Sequence, residues 1–372
     1  MRIIFTVTND LTYDQRMLRI CNTLADNGHA VMLVGRSLPH TISLEARSFE
    51  QKRLPCLFQK GAGFYFEYNL RLFLYLLFAR FDAVCSIDFD TLPAGCIASI
   101  LRRKKRVFDA HEYFTEVPEV VHRPVVKFVW GMVGRTCLLF YRYAYTVGPA
   151  LAQIFKKKYG LKFGVVRNVP VPRKLDFSSQ QKPKLPNSAH FRIIYQGALN
   201  EGRGIEAMLE AMQYLENVQL MLAGEGDLSA KLRQKAVDLG LADRVVFLGY
   251  VKPDDLKILT DKAWLGLNLL ENRGLSYYYS LANKFFDCVQ AGVPILTMDF
   301  PEYRALNKEH EVALLLKELN PESVAEAIQR LLINTELYKK LRQNCLLARE
   351  EWNWASEQKS LLEIWKQVAL GQ

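Results

Sequence analysis

A chain of 372 residues, half apolar and 24% charged, is too long for one hydrophobic core and suits two domains, and this composition excludes a disordered or low-complexity protein. The formal net charge of +10 is uneven: residues 1–185 carry 28 Lys and Arg against 14 Asp and Glu, residues 186–372 only 21 against 25. The basic half suits anionic lipid or an anionic acceptor rather than nucleic acid, because its one dense run, Arg102-Arg103-Lys104-Lys105-Arg106, reads as a solvated turn between a helix and a strand.

The opening MRIIFTVTND has one arginine, five apolar residues and then polar ones, which is a buried strand rather than a signal peptide. Helical spacing at Met17, Ile20, Cys21 and Leu24 predicts a helix over 14–27 after a strand at 3–7, with Gly28 as its stop. Strands follow at 30–34 and 83–87, a helix at 92–101 and a strand at 106–109. The apolar stretches 70–81 and 125–145 are interrupted by Arg71, Arg80, Lys127, Arg135 and Arg142, so neither reaches the roughly 18 residues that span a bilayer. The aromatic and arginine-rich stretch 64–81 reads as a core helix with snorkelling arginines or as a contact with the inner membrane face. The seven cysteines form no CxxC pair, which predicts reduced thiols and a cytoplasmic chain, peripheral on that membrane face if it meets one.

Prolines at 170, 172, 183 and 186, with polar residues between them, mark a linker, placed at 176–188. The strand–helix alternation then restarts. Strands are predicted at 191–195, 219–223, 245–248, 265–269 and 294–297, helices at 204–215, 228–239, 253–261 and 282–291, and two more helices close the chain. Two α/β halves follow: an N-terminal doubly wound domain over 1–175, a second over 189–352 and a last helix over 353–372. Parallel sheets of this kind bind ligands at the carboxyl ends of their strands, which here predicts a site between the domains.

The strongest chemical signal is Ser280-Leu-Ala-Asn-Lys-Phe-Phe-Asp-Cys-Val-Gln-Ala-Gly-Val-Pro-Ile-Leu. A polar loop enters a helix near Ala282, and a helix N-terminus seats a diphosphate. Lys284 in the first turn opposes the helix dipole, a cost that a bound polyanion offsets. Asp287, one turn on, shares a face with Asn283 and Lys284 and suits ribose hydroxyls. An ordinary amphipathic helix would carry the same pattern. A second signal is Tyr195-Gln-Gly-Ala-Leu-Asn-Glu-Gly-Arg-Gly, a glycine-rich loop from Gly197 to Gly204 in which Arg203 can fork onto phosphate oxygens.

These segments resemble the donor-binding elements of family-4 glycosyltransferases, enzymes of the GT-B fold with two Rossmann-like domains and a C-terminal helix that crosses back to the N-domain. The family pattern of Glu, seven residues, Glu and Ala-x-Gly-x-Pro-Val places Asp287 at the second acid, which binds the donor ribose. Tyr279 stands at the first, near the sugar hydroxyls, with Leu281, Ala282 and Asn283 between them. Arg203 takes the place of the family's loop lysine, and Ala198 stands where it has an arginine, so the resemblance leaves Arg203 and Lys284 as the diphosphate clamp. Leu222-Ala-Gly-Glu-Gly-Asp is similar to the family's Gly-x-Gly turn and adds Gly224 and Glu225. Val245-Val-Phe-Leu-Gly-Tyr-Val is similar to its base-contacting strand, with Tyr250 against the base or at an interface. Trp352-Asn-Trp-Ala is similar to its entry into the last helix.

In the N-domain, Phe108-Asp-Ala-His-Glu resembles an Asp-x-His-Glu subgroup, which implies that His111 touches the donor sugar or the acceptor and that Glu112 lies beside it. A capped structural histidine is the other reading. Asp14 and Arg16 close the site or form a helix-start pair. Asp88-Phe-Asp90 matches a metal motif of a different glycosyltransferase fold; here Asp90-Thr91 reads as a helix cap, and an acceptor contact stays open. The resemblance implies a retaining, metal-independent enzyme with no bound cofactor. It would move a sugar from a nucleoside-diphosphate sugar to a glycan or lipid-linked acceptor in bacterial surface polysaccharide or glycolipid synthesis. The alternatives are a nucleotide-sugar epimerase of the same fold and a non-catalytic nucleotide- or glycan-binding relative.

Overall fold

The computed structural model describes residues 1–39, 41–173 and 191–371, so the linker expected at 176–188 lies outside the described residues. The chain divides into two units: Met1–Arg167 with Gly274–Ser276 and the chain from Glu357 on, and Asn168–Arg273 with Tyr277–Ser356.

The first unit contains β1 (Arg2–Thr6), α1 (Gln15–Asp26), β2 (Ala30–Arg36), β3 (Glu50–Leu54), α2 (Gly61–Phe78), β4 (Ala83–Ile87), α3 (Leu92–Leu101) and β5 (Lys105–Ala110). After these come α4 (Pro118–Val121), α5 (Pro124–Leu138), β6 (Tyr143–Thr146), α6 (Pro149–Tyr159) and β7 (Phe163–Val165). Its seven strands are parallel, in the order β3-β2-β1-β4-β5-β6-β7. Alternation along each strand supplies both faces. Ile4, Val34 and Val84 join Phe64, Tyr68, Leu72 and Leu76 of α2, which recur every four residues. Phe5 meets the ring of Trp365 from the chain's last helix, α15 (Trp354–Leu370), with centroids 5.4 Å apart.

The second unit contains β8 (Phe191–Gln196), α7 (Ile205–Ala211), β9 (Val218–Ala223), α8 (Ser229–Asp238), β10 (Val245–Gly249), α9 (Pro253–Asp261) and β11 (Leu265–Asn268). A short α10 (Leu275–Tyr278) precedes α11 (Asn283–Ala291), β12 (Ile295–Met298), α12 (Pro301–Glu309), β13 (Ala313–Leu316), α13 (Pro321–Ile333) and α14 (Thr335–Glu351). The six strands are parallel, ordered β10-β9-β8-β11-β12-β13. After β12 the chain thus has a further strand and four helices rather than two helices. Ala313-Leu-Leu-Leu is a four-residue apolar run, too short for its period to be read. Among the described residues no helix is long and apolar enough to cross a membrane.

One sequence expectation holds in part and another changes. The basic run 102–106 is a turn over 102–104 between α3 and β5, with Arg103 exposed, but Arg102 stacks on Phe81 and donates to carbonyls at the C-terminal end of α2, and Lys105 and Arg106 open β5. Arg16 does not pair with Asp14 at the helix start. Asp14 caps α1 by accepting from the amide of Met17 at 3.0 Å. Arg16 turns inward instead: its Nη2 is 3.0 Å from Asp109 on β5, and its Nη1 donates to the carbonyl of Val166 at 2.9 Å. Both side chains are almost fully buried, so each charge depends on the other.

Trp365→Ala should cost about 3–5 kcal/mol in urea unfolding, and Trp365→Phe clearly less, because the alanine leaves a cavity against Phe5. A loss under about 1 kcal/mol would show that the helix is merely laid on the sheet. Arg16→Met should cost about 3–5 kcal/mol at neutral pH by stranding Asp109. Burial raises the Asp109 pKa, but Arg16 and then His111 outweigh it and hold it below its ordinary value. The stabilisation is therefore present above the ordinary carboxylate range and lost as pH falls through the lowered folded value. The cost of Arg16→Met should shrink on acidification; a cost independent of pH would contradict the pairing.

Candidate functional site

At the carboxyl edge of the first sheet, neighbouring strands β1, β4 and β5 end within a few residues of Thr8, Asp88, Asp90 and His111. Asp88 lies just past β4 with φ +52°, a left-handed conformation that aspartate tolerates, so strand alternation does not place it with Asp90. It accepts a hydrogen bond from the amide of His111 at 2.8 Å. The His111 ring turns back on its own strand, with Nε2 3.0 Å from Asp109 Oδ2 and Nδ1 4.0 Å from Asp88 Oδ2. Burial lowers the imidazole pKa, yet the charge and hydrogen bond of Asp109 outweigh it, and the net shift is upward.

Asp90 accepts from the hydroxyl of Thr8, and loss of solvent raises its pKa to about 6. Loss of solvent also pushes Asp88 well above the usual range, with Glu112 and Asp90 adding repulsion and His111 opposing. Asp90-Thr91 is not the expected cap of α3: the Thr91 hydroxyl donates to the carbonyl of Ile87 at 2.9 Å, and Asn69 of α2 accepts from the amide of Ala94 in the first turn at 3.2 Å instead. The edge thus collects a proton-holding imidazole and two carboxyls with raised pKa values. Such groups can exchange protons with a hydroxyl near neutral pH. Asp109, which ties Arg16 to His111, lies within Phe108-Asp-Ala-His-Glu, but the sequence does not mark its role, because its partner Arg16 lies 93 residues away.

In the second unit, β8 ends at Gln196 and the chain loops from Gly197 to Gly204 before α7. The turn after β9 crosses this loop. A Cβ on Gly224 would lie 1.9 Å from the carbonyl oxygen of Gly197, and Gly224 has φ +151°, so only glycine permits the crossing. Gly204, at φ +66°, leaves similar room for the carbonyl of Leu269, which a Cβ there would approach to 2.5 Å.

Lys284 is 9% exposed at the start of α11, whose N-terminal residue Ala282 supplies no side-chain cap. Its Nζ lies 3.8 Å from the centroid of the Tyr195 ring, close to Gly197. Among the described residues no carboxylate forms an ion pair with it. Burial lowers its pKa well below the ordinary lysine value, and the nearby charge of Arg203 lowers it further. Arg203 lies over Tyr277, 4.9 Å from guanidinium carbon to ring centroid, with its Nε buried and without a partner. Two neighbouring cations over aromatic rings, without an ion-paired carboxylate among the described residues, can hold an anion.

Asp287 is partly buried one turn along α11 and accepts from Gln196 Nε2 at 3.3 Å; the Thr260 hydroxyl donates in turn to Gln196 Oε1 at 2.9 Å. Asn283 is exposed and accepts from Asn168 at 2.6 Å, and Leu281 is buried. The Tyr279 ring sits edge-on against Tyr278 at 5.0 Å. Glu225 is exposed and ion-paired with Arg233 at 2.8 Å, and Tyr250 is 60% exposed. Sequence reading missed Tyr195 and Tyr277, the rings beneath the two cations, and the pair Gln196 and Thr260 that holds Asp287. A tyrosine next to the end of a buried strand gives no sign of a lysine 89 residues later.

Residues 176–346 match the family described as Glycosyl transferases group 1. An uncharacterized glycosyltransferase of Methanocaldococcus jannaschii is 25% identical over 178 residues, which is 47% of this chain and 44% of that protein. The chain therefore matches less than half the length of that curated relative. Solved structures align over the whole chain. The sucrose-phosphate synthase of Thermosynechococcus elongatus has a TM-score of 0.80 at 16% identity, with 100% of both chains covered. Anabaena HepE, solved in complex with UDP, has a TM-score of 0.76 at 14% identity, covering 99% of this chain and 100% of that one. Residues 176–346 thus resemble the glycosyl transferases group 1 family, within a chain that has the two-sheet GT-B fold.

Proposed function

We propose that the protein is a glycosyltransferase that takes a sugar from a nucleoside-diphosphate donor, held in the second unit, to a glycan or lipid-linked acceptor. The observation that carries this reading is the pairing of Lys284 with Arg203 beside Gly197 and the N-terminus of α11, two cations with no carboxylate between them. Keeping such charges together costs free energy unless an anion joins them. The UDP in the HepE structure supports a nucleotide as that anion. Asp287, steadied by Gln196 and Thr260, suits the ribose hydroxyls.

In this reading negative charge grows on the diphosphate as the anomeric bond breaks. Lys284, Arg203 and the helix N-terminus stabilise it without a metal. His111, whose proton is held by Asp109, contacts the sugar or the acceptor hydroxyl. No covalent protein intermediate is invoked, and the anomeric configuration is retained. The setting is surface polysaccharide or glycolipid synthesis in a bacterial cytoplasm.

Lys284→Ala should lower kcat for transfer or slow donor hydrolysis about 10²–10³-fold. Its unfolding midpoint should hold or rise, because an uncompensated buried cation is removed. Full turnover, or a fallen midpoint with turnover intact, would make Lys284 a structural residue. UDP binding should also take up a proton. The Lys284 pKa is lowered in the free protein and restored beside the diphosphate, so affinity should weaken as pH rises through the lowered value. Isothermal titration in buffers of different ionisation enthalpy measures this uptake. Uptake that survives Lys284→Ala would assign it elsewhere.

A further inference from the structure

We infer that the α2–α3–α5 face of the first unit docks on an anionic phospholipid bilayer. Buried residues of α2 account for one stripe only: Phe64, Tyr68, Leu72 and Leu76 face the sheet. A second stripe, Phe66, Leu70, Leu74 and Phe78, repeats every four residues on the opposite side, and Phe66 is 74% and Phe78 85% exposed. A helix that is apolar all round has no reason to be so in water alone. The neighbouring helix α3, which packs between α2 and α5, exposes Ile97 and Leu101 one turn apart. Helix α5 exposes Val125, Phe128, Val129 and Met132, at spacings of three, one and three residues. Three adjacent helices of one sheet face thus carry outward stripes at helical spacing, which is far more than scattered apolar surface.

The charges around these stripes choose the occupant. Arg80, Arg103, Arg123 and Arg135 are exposed at the ends and flanks of the three helices. The only carboxylate on the three helices, Glu67, is turned into the fold, where it accepts from the amides of Leu57 and Phe58 and from Arg71. Beside the C-terminal ends of α2 and α3, a pocket of about 440 Å³ is lined by Arg2, Arg80, Arg102 and Lys104; its one carboxylate, Asp82, accepts from the amide of Arg2. A second copy docked through this face would set the arginines of each chain against the same arginines of the other, because a twofold interface is self-complementary. An anionic bilayer interface satisfies both features: aromatic and aliphatic side chains enter the headgroup boundary, and the arginines meet phosphates.

The test is co-sedimentation of the full chain with vesicles of phosphatidylglycerol and phosphatidylcholine, and with vesicles of phosphatidylcholine alone. Binding should favour the anionic vesicles and weaken as salt rises. Two double variants of exposed residues, Phe78→Ser with Phe128→Ser and Arg103→Gln with Arg135→Gln, should each weaken partitioning about tenfold or more while leaving the unfolding midpoint unchanged. No binding to anionic vesicles at low salt overturns the inference, as does binding that neither variant alters. A wild-type dimer that both variants convert to monomer, without vesicle binding, assigns the face to a second copy instead. The readout involves no sugar transfer, so failure here leaves the proposed activity standing.

Discussion

Every strand in both sheets runs parallel to its neighbours, so each return passes through a helix or loop and all carboxyl ends gather along one edge. Polar chemistry collects there because the central strands are buried and mostly apolar. In the first unit that edge holds Thr8, Asp88, Asp90 and His111; in the second it holds the loop from Gly197 and the turn at Gly224. The exception proves informative. Asp109 lies inside β5 with no exposure, and it persists because Arg16 and His111 both face it.

The two edges solve the problem of buried charge in opposite ways. Around Asp109, cation and anion are matched, and the imidazole joins a pair already balanced. Around Lys284 and Arg203, among the described residues, no carboxylate forms an ion pair with either cation, and each lies over an aromatic ring. The first arrangement is stable by itself and fixes a ring. The second is costly by itself and gains from a ligand.

How much of this could be read from the chain depended on distance along it. Apolar strands such as those at Ile3 and Ala83 were visible because both faces are buried, and the start of α11 was visible from its punctuation. β3, Glu50-Gln-Lys-Arg-Leu, was not, because an edge strand with polar side chains carries no apolar period. Strands β6 and β7 were hidden by their shortness. In the sites, residue types within one motif were legible, but meetings were not: Arg16 with Asp109, Lys284 with Tyr195, and Gln196 with Asp287 each join distant segments. For α2, periodicity reported an apolar helix and could not say that two opposite stripes, rather than one, were apolar.

The docking of Trp365 on Phe5 also has a bearing on synthesis. Phe5 of β1 and Trp365 of α15 meet in one core, with the second unit translated between them. The second sheet closes on locally contiguous chain. The first leaves Phe5 without its Trp365 partner until α15 arrives, at about 5–20 residues per second. The first sheet, although made before the second, therefore completes its core after it.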